Sequence, residues 1–257
     1  MNGWRLRGTE GDLARALDLL HVHARVEAVW EGSGFCEVWL AGPLPAFDRI
    51  AVEVSPMAPP EGPPPTGLER DAVIRVGPGL VVRPPWVAPL PEFDGIELVV
   101  PRAMAFGSGE HGSTQAALGA LDTSWDSDVA SFADVGTGSG ILLLYAARRG
   151  CPMLLGCDID PAAVAAAREL VPAARVVEGG AAHLGQSVDC VVANMTGAEL
   201  AAELPAIRAV WNGRGPLVLS GLRATEVDTI ERAVGLSAVD AVDVAGFAAR
   251  VYRTPSR

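Results

Sequence analysis

The sequence predicts an α/β fold of the Rossmann-like kind, a mostly parallel seven-stranded sheet with an antiparallel terminal strand, preceded by a small N-terminal α+β domain. Three observations predict it. From residue 95 onward, apolar strand-like runs alternate with helix-like segments, the pattern of a parallel sheet covered on both faces. Glycines stand at alternate positions, Gly136, Gly138 and Gly140, at the first strand-to-helix junction of that region. The last two strand-like runs, 239–244 and 247–252, are joined at Ala245-Gly246, a turn so short that they must pair antiparallel. A chain of 257 residues has room for one large domain or a medium domain plus a small one.

The elements follow in order. Trp4-Arg5-Leu6-Arg7 alternates like a strand, and Leu13, Ala16, Leu17 and Leu20 recur at helical spacing. Residues 26–30 and 35–40, separated by a glycine-rich turn, read as a β-hairpin. Together they define a small domain over 1–54 that is too small to be stable alone and is expected to dock on a larger one. Residues 55–94 are dense in proline (Pro56, Pro59, Pro60, Pro63, Pro64, Pro65) and read as a linker, with short strands near 72–76 and 80–83. The remaining domain, 95–257, begins with a helix over 115–121. Strands are then expected at 129–135, 153–158, 175–178, 188–193, 216–220, 239–244 and 247–252. Helices at 141–149, 161–170, 198–211 and 225–234 alternate with the first five of them, and Pro161 suits a first helical turn.

Composition narrows the function classes. Nearly half the residues are apolar, as in a globular chain, and the formal charge is −11. That balance disfavours direct binding to nucleic-acid phosphates and suits a basic protein or a cationic small molecule. Every one of the 20 Lys-or-Arg positions is Arg, which excludes lysine chemistry such as a Schiff base. Cys36, Cys151, Cys157 and Cys190 form no C-x-x-C pair and read as buried hydrophobes. His21, His23 and His183 lack ligand-like spacing, so no metal is expected. The first residues carry charges where a signal peptide needs an apolar stretch, and no run approaches the roughly 18–20 apolar residues of a membrane-spanning helix. The expectation is a cytoplasmic protein, monomeric, with no membrane association.

In an open α/β sheet, ligands bind beyond the carboxyl ends of the strands, near the point where strand order reverses. The first junction reads Asp134-Val-Gly136-Thr-Gly138-Ser-Gly140. Such glycines let the backbone turn tightly and let a ligand lie against it without meeting a Cβ. The next strand ends in Gly156-Cys-Asp158, a carboxylate about 20 residues on, the spacing that serves the ribose hydroxyls of an adenosine cofactor. A dinucleotide would favour G-x-G-x-x-G, and Asp134 would repel its pyrophosphate. The same carboxylate suits the ammonium of a methionine moiety, which points to S-adenosyl-L-methionine over NAD. Asn194, ending another buried strand, can reach a substrate amine or the cofactor, or can cap the next helix. In the string from Met104 to Thr114 (MAFGSGEHGST), glycines and hydroxyls suggest a flexible lid. Ser113 or Thr114 can alternatively cap the following helix, and His111 is a candidate general base.

These strings, together with DVGTGSGIL, GCDIDPAAV, VVANM and LVLSGL, resemble the PrmA family, the class I S-adenosylmethionine-dependent methyltransferases of ribosomal protein L11. The most specific mark is Met104 to Thr114, close to the family's M-A-F-G-T-G-x-H-x-T-T. The opening WRLRGT and the small α+β domain are similar to the family's N-terminal, substrate-recognising domain. The resemblance implies cofactor contacts from Thr114, Gly136, Asp158 and Asn194, with Phe106 and His111 nearby. It also implies methyl transfer to lysine side chains and the α-amino group of ribosomal protein L11. Two departures stand out: a proline-rich linker replaces an acidic, aromatic helical one, and G-S-G and S-T replace G-T-G and T-T. Other readings are a divergent methyltransferase for another protein or a small amine, a non-catalytic binding module on a relic fold, and an NAD-dependent oxidoreductase.

Overall fold

The computed structural model describes residues 2–24, 26–32, 34–40, 42–47, 50–57, 73–101 and 108–255. The chain divides into two compact units, one of residues 1–70 with 104–106 and one of residues 71–103 with 107–257.

The first unit holds β1 (Asn2–Arg7), α1 (Glu10–His23), β2 (Val26–Gly32), β3 (Phe35–Leu40) and β4 (Glu53–Met57). They form an antiparallel sheet in the order β2-β3-β1-β4. Thr9 caps α1 by accepting from the Asp12 amide, satisfying one of the helix's orphan donors. The apolar stripe Leu13, Ala16, Leu17 and Leu20 packs on Leu6, Cys36, Val38 and Leu40, so the helical spacing and the strand alternation meet in one core. Strand β4 was not expected. Its Pro56 argues against a central strand, but β4 lies at the sheet edge, where a missing donor costs no ladder bond.

The second unit opens with a small sheet, β5 (Ile74–Gly77), β6 (Leu80–Arg83) and β7 (Ile96–Val99), in that order. Two of these strands fall within the stretch expected as linker. Then come α2 (Gly112–Ser124), β8 (Ser131–Val135), α3 (Ile141–Arg148), β9 (Met153–Asp158), α4 (Pro161–Leu170) and β10 (Arg175–Glu178). A single 3-10 turn, Ala181–Leu184, leads to β11 (Cys190–Asn194), α5 (Gly197–Val210), β12 (Leu217–Arg223), α6 (Ala224–Val234), β13 (Asp240–Val244) and β14 (Phe247–Tyr252). The seven-stranded sheet runs β10-β9-β8-β11-β12-β14-β13. All its pairings are parallel except those of β14, which runs antiparallel to both β12 and β13. The closing hairpin turns through Ala245 and Gly246, both at positive φ, the geometry that matches the strands' own twist.

Helices cover both faces. Phe132, Val192, Val218 and Val251 meet α2, α3 and α4 on one side; Val135, Val191, Leu219 and Tyr252 meet α5 and α6 on the other. From β8 the chain builds outward to β9 and β10, then returns to the opposite side of β8 with β11. The strand order therefore reverses between β8 and β11, whose carboxyl ends carry Asp134 and Asn194. Among the described residues no helix is long and apolar enough to cross a membrane, and no group of three or more His, Cys, Asp and Glu could hold a metal ion.

Strand β12 runs three residues past its expected end through a bulge at Ser220-Gly221. Gly221 sits at φ +89°, and a Cβ there would lie 2.4 Å from the Met195 carbonyl oxygen. Both conditions reject a side chain. Gly221→Ala is expected to lower unfolding free energy by about 2–4 kcal/mol in urea titration; an unchanged midpoint would contradict this close approach.

Candidate active site

The glycine loop folds as its sequence requires. Gly136, Gly138 and Gly140 all take positive φ, at 72°, 53° and 85°. The amides of Gly136 and Thr137 donate to the Cys157 carbonyl at 2.9 and 3.0 Å, tying the loop to the end of β9. A Cβ on Gly140 would lie 3.0 Å from the Ala167 backbone, so this glycine also lets α3 approach α4. Burial pushes the Cys157 thiol up to about 12, which leaves it a hydrophobe and not a nucleophile. All four cysteines are buried, and none is in a disulfide.

Asp134 lies under this loop, wholly buried. Its Oδ2 accepts from Thr137 Oγ1 at 2.8 Å, while Oδ1 is buried with no partner among the described residues. Desolvation raises its pKa to about 7; Thr137 pulls the other way, and the neighbouring Asp158 charge adds to the rise. Asp158, half-buried at the end of β9, accepts from the Gly138 amide on Oδ2 and from the Asp160 amide on Oδ1, both at 2.9 Å. Its orientation is thus fixed by the loop it faces, and each oxygen keeps room for a second donor.

Asn194 ends β11. It does not cap the next helix: Thr196 does, with Glu199 completing a capping box. Asn194 Nδ2 instead reaches Thr114 Oγ1 at 3.5 Å, and its Oδ1 is a second buried oxygen with no partner among the described residues. The first turn of α2 is joined to the sheet ends at two more points. Ser220 Oγ donates to the Ser113 carbonyl at 3.0 Å, and Gly112 sits so close to the β13–β14 turn that a Cβ would meet the Val244 carbonyl at 2.9 Å. Neither Ser113 nor Thr114 caps α2, whose N-cap is His111 with no side-chain cap bond. His111 Nδ1 pairs with Ser113 Oγ at 2.8 Å, its ring centroid lies 4.4 Å from that of Phe247, and the Arg223 guanidinium lies over the same Phe247 ring, 4.0 Å from its centroid.

The structure therefore gathers Asp134, Gly136, Gly138, Gly140 and Asp158 at one loop, and Asn194, Thr114 and His111 at the α2 entrance. Phe106 lies outside the described residues. Thr137, Ser113, Ser220, Phe247 and Arg223 were missed as supporting residues. Thr137 was visible inside the glycine string and Ser113 two residues after His111; Ser220, Phe247 and Arg223 are brought in by long-range packing that leaves no local signal.

This strand order, with the glycine loop at its reversal point and an acidic residue ending the next strand, is that of the class I methyltransferases, a class that uses S-adenosylmethionine as methyl donor. The profile of the ribosomal protein L11 methyltransferase (PrmA) family matches residues 72–244, and the chain belongs to that family. Among curated relatives, ribosomal protein L11 methyltransferase of Syntrophotalea carbinolica is 33% identical over 192 residues, covering 72% of this chain and 62% of that protein. Its counterpart in Dechloromonas aromatica is 36% identical over 160 residues, covering 61% of this chain and 53% of the relative. The chain thus spans between about half and three-fifths of the length of these relatives. A crystal structure of ribosomal protein L11 methylase from Lactobacillus delbrueckii subsp. bulgaricus superposes with a TM-score of 0.63 at 24% identity, covering 71% of this chain and 99% of that one.

The Asp134 carboxyl carries a signed pH dependence. Its folded pKa, about 7, exceeds the ordinary carboxyl value of 3.8, so the native state holds the extra proton between these values. Stability therefore falls as pH rises through that window and is level above it. Asp134→Asn keeps an acceptor for Thr137 and removes the ionisation cost. At pH 8 the ligand-free variant is expected to melt about 5 °C higher than the parent, with the gap closing toward pH 4. Calorimetric scans showing no gain at pH 8 would contradict the assignment.

Proposed function

We propose that the chain is an S-adenosylmethionine-dependent protein N-methyltransferase that modifies lysine side chains and the α-amino group of ribosomal protein L11. The observation that carries this reading is the pair of buried oxygens without partners among the described residues, Asp134 Oδ1 and Asn194 Oδ1, at adjacent strand ends beside the glycine loop. Buried acceptors left unsatisfied cost stability, and a ligand bearing donors relieves that cost. The ammonium of a methionine moiety is such a donor, and the ribose hydroxyls suit the remaining acceptor capacity of Asp158.

When bound, the cofactor supplies an electrophilic methyl on a sulfonium. The chain's part is orientation. Asp158 holds the ribose, Asp134 the ammonium, and Gly136, Gly138 and Gly140 give the backbone close approach. Thr114 steadies Asn194, whose oxygen accepts from the cofactor or from the incoming amine. His111, steadied by Ser113 and Phe247, takes up the amine proton, or the amine loses it to water on entering a low-dielectric cleft. Positioning supplies much of the rate, because the reacting groups then meet without further loss of freedom. Phe106, outside the described residues, is assigned to cofactor binding by the motif resemblance alone.

The small domain, 1–54, recognises the protein substrate, and the net charge of −11 favours a basic partner. The enzyme acts in the cytoplasm, as a monomer and without direct nucleic-acid contact. A second reading keeps the cofactor and exchanges the substrate for another protein or a small amine; in its favour, the family match starts only at residue 72.

Two measurements separate these. S-adenosylhomocysteine should bind in calorimetric titration, and Asp158→Ala should weaken it by about 10–100-fold, the cost of charge-assisted hydrogen bonds. Methyl-labelled cofactor should then label ribosomal protein L11 from a strain lacking this activity. Binding without label in that protein favours the second reading, whereas no binding at all sinks both.

A further inference from the structure

At the far end of α3 from the glycine loop lies a cavity of about 420 Å³, lined by Arg83, Gly95, Ile96, Glu97, Val99 and Arg148. Its size falls within the range that holds small organic ligands. We propose that this cavity is a second binding site, taking a carboxylate carried on a short apolar chain.

The charge balance inside the cavity argues for an anion. Arg83 is only 8% exposed, and its Nε pairs with Glu97 Oε2 while Nη1 donates to the Val87 carbonyl at 2.7 Å. Glu97 spends its other oxygen on the Leu90 amide at 3.0 Å. Its carboxylate is held below the usual range, first by the Arg83 hydrogen bond, then by the Leu90 amide and the nearby charges of Arg83 and Arg148, against the opposing effect of burial. The one acid of the cavity is thus committed on both oxygens, to Arg83 and to its own loop. Arg148, exposed in the last turn of α3, has no hydrogen bond or ion pair among the described residues. Two guanidiniums against one engaged carboxylate leave the cavity with a net positive charge, on a chain that is otherwise acidic.

The backbone adds donors. Strand β7 is the edge of its sheet. The amides of Ile96 and Val100 donate to the Gly79 and Arg83 carbonyls of the β6 side, so those of Glu97 and Val99 point away from β6, along the open edge that the cavity adjoins. Ile96 and Val99, both partly buried, supply apolar contact. A carboxylate paired with Arg148, its chain against Ile96 and Val99, satisfies each of these features. Either a free acid or the C-terminus of a peptide carries that chemistry, the peptide gaining strand-edge hydrogen bonds as well.

The full chain should be titrated with hexanoate and with N-acetyl-alanyl-valine, each against its uncharged amide, while amide chemical shifts are followed. At least one of the two acids is expected to bind with a dissociation constant on the order of 1 mM, shifting residues 95–99 and 148. Its amide should bind at least about tenfold more weakly, as the loss of a charge-assisted contact implies. Hexanoate alone would identify the source as a free acid, and the dipeptide alone would identify it as a peptide C-terminus. Arg148→Glu, an exposed position whose change should leave the melting temperature intact, is expected to abolish the shifts. No binding by either acid, equal binding by acid and amide, or binding that survives Arg148→Glu would overturn the proposal.

Discussion

A carboxylate buried at the point where the strand order reverses constrains the rest of this structure. Asp134, next to last in β8, has no exposed surface, one oxygen held by Thr137 and one without a partner among the described residues. Its ionisation is opposed by desolvation and by Asp158 nearby. A fold selected for stability alone would place an apolar residue or an amide there. The cost is tolerated where a ligand's charge reverses it, and buried groups with shifted pKa values gather at functional sites for that reason.

The surrounding elements are arranged to keep that site formed without a ligand. Cys157 receives two loop amides through its carbonyl, and Asp158 receives a third through its side chain, so loop and strand end hold one another. On the opposite side, α2 enters over the sheet with its first turn fixed by Asn194, Ser220 and the β13–β14 turn. Residues 111–114 are accordingly anchored by several elements, which a reading of their glycines as a flexible lid does not anticipate. Orientation is the main service such a site can render to a methyl transfer, and a fixed first turn of α2 is consistent with it.

Much of this was legible in the sequence because it rests on local rules. Alternate glycines before an apolar helix, an acid about 20 residues on, and a two-residue turn between final strands each have a direct backbone cause. What was illegible depends on distant partners. Pro56 argued against β4 until the strand proved to lie at an edge. Asn194 offered both a cap and a cleft residue; Thr196, two residues on, takes the cap, and only the packing of Thr114 against Asn194 brings the amide to the cleft entrance. Phe247 and Arg223 join His111 from positions more than a hundred residues away, where no spacing rule reaches. Short strands near 72–76 and 80–83 were expected and lie at 74–77 and 80–83; that they belong to the compact unit that follows was not legible.

The central claim is that Asp134 receives the ligand's ammonium, and proton release on binding tests it most directly. At pH 6 a carboxyl with a pKa of about 7 is mostly protonated, and pairing with an ammonium must ionise it. Titrating S-adenosylhomocysteine at pH 6 in buffers of different ionisation enthalpy should reveal release of about one proton per ligand, falling toward zero by about pH 8. Binding with no proton release at pH 6 would contradict the account.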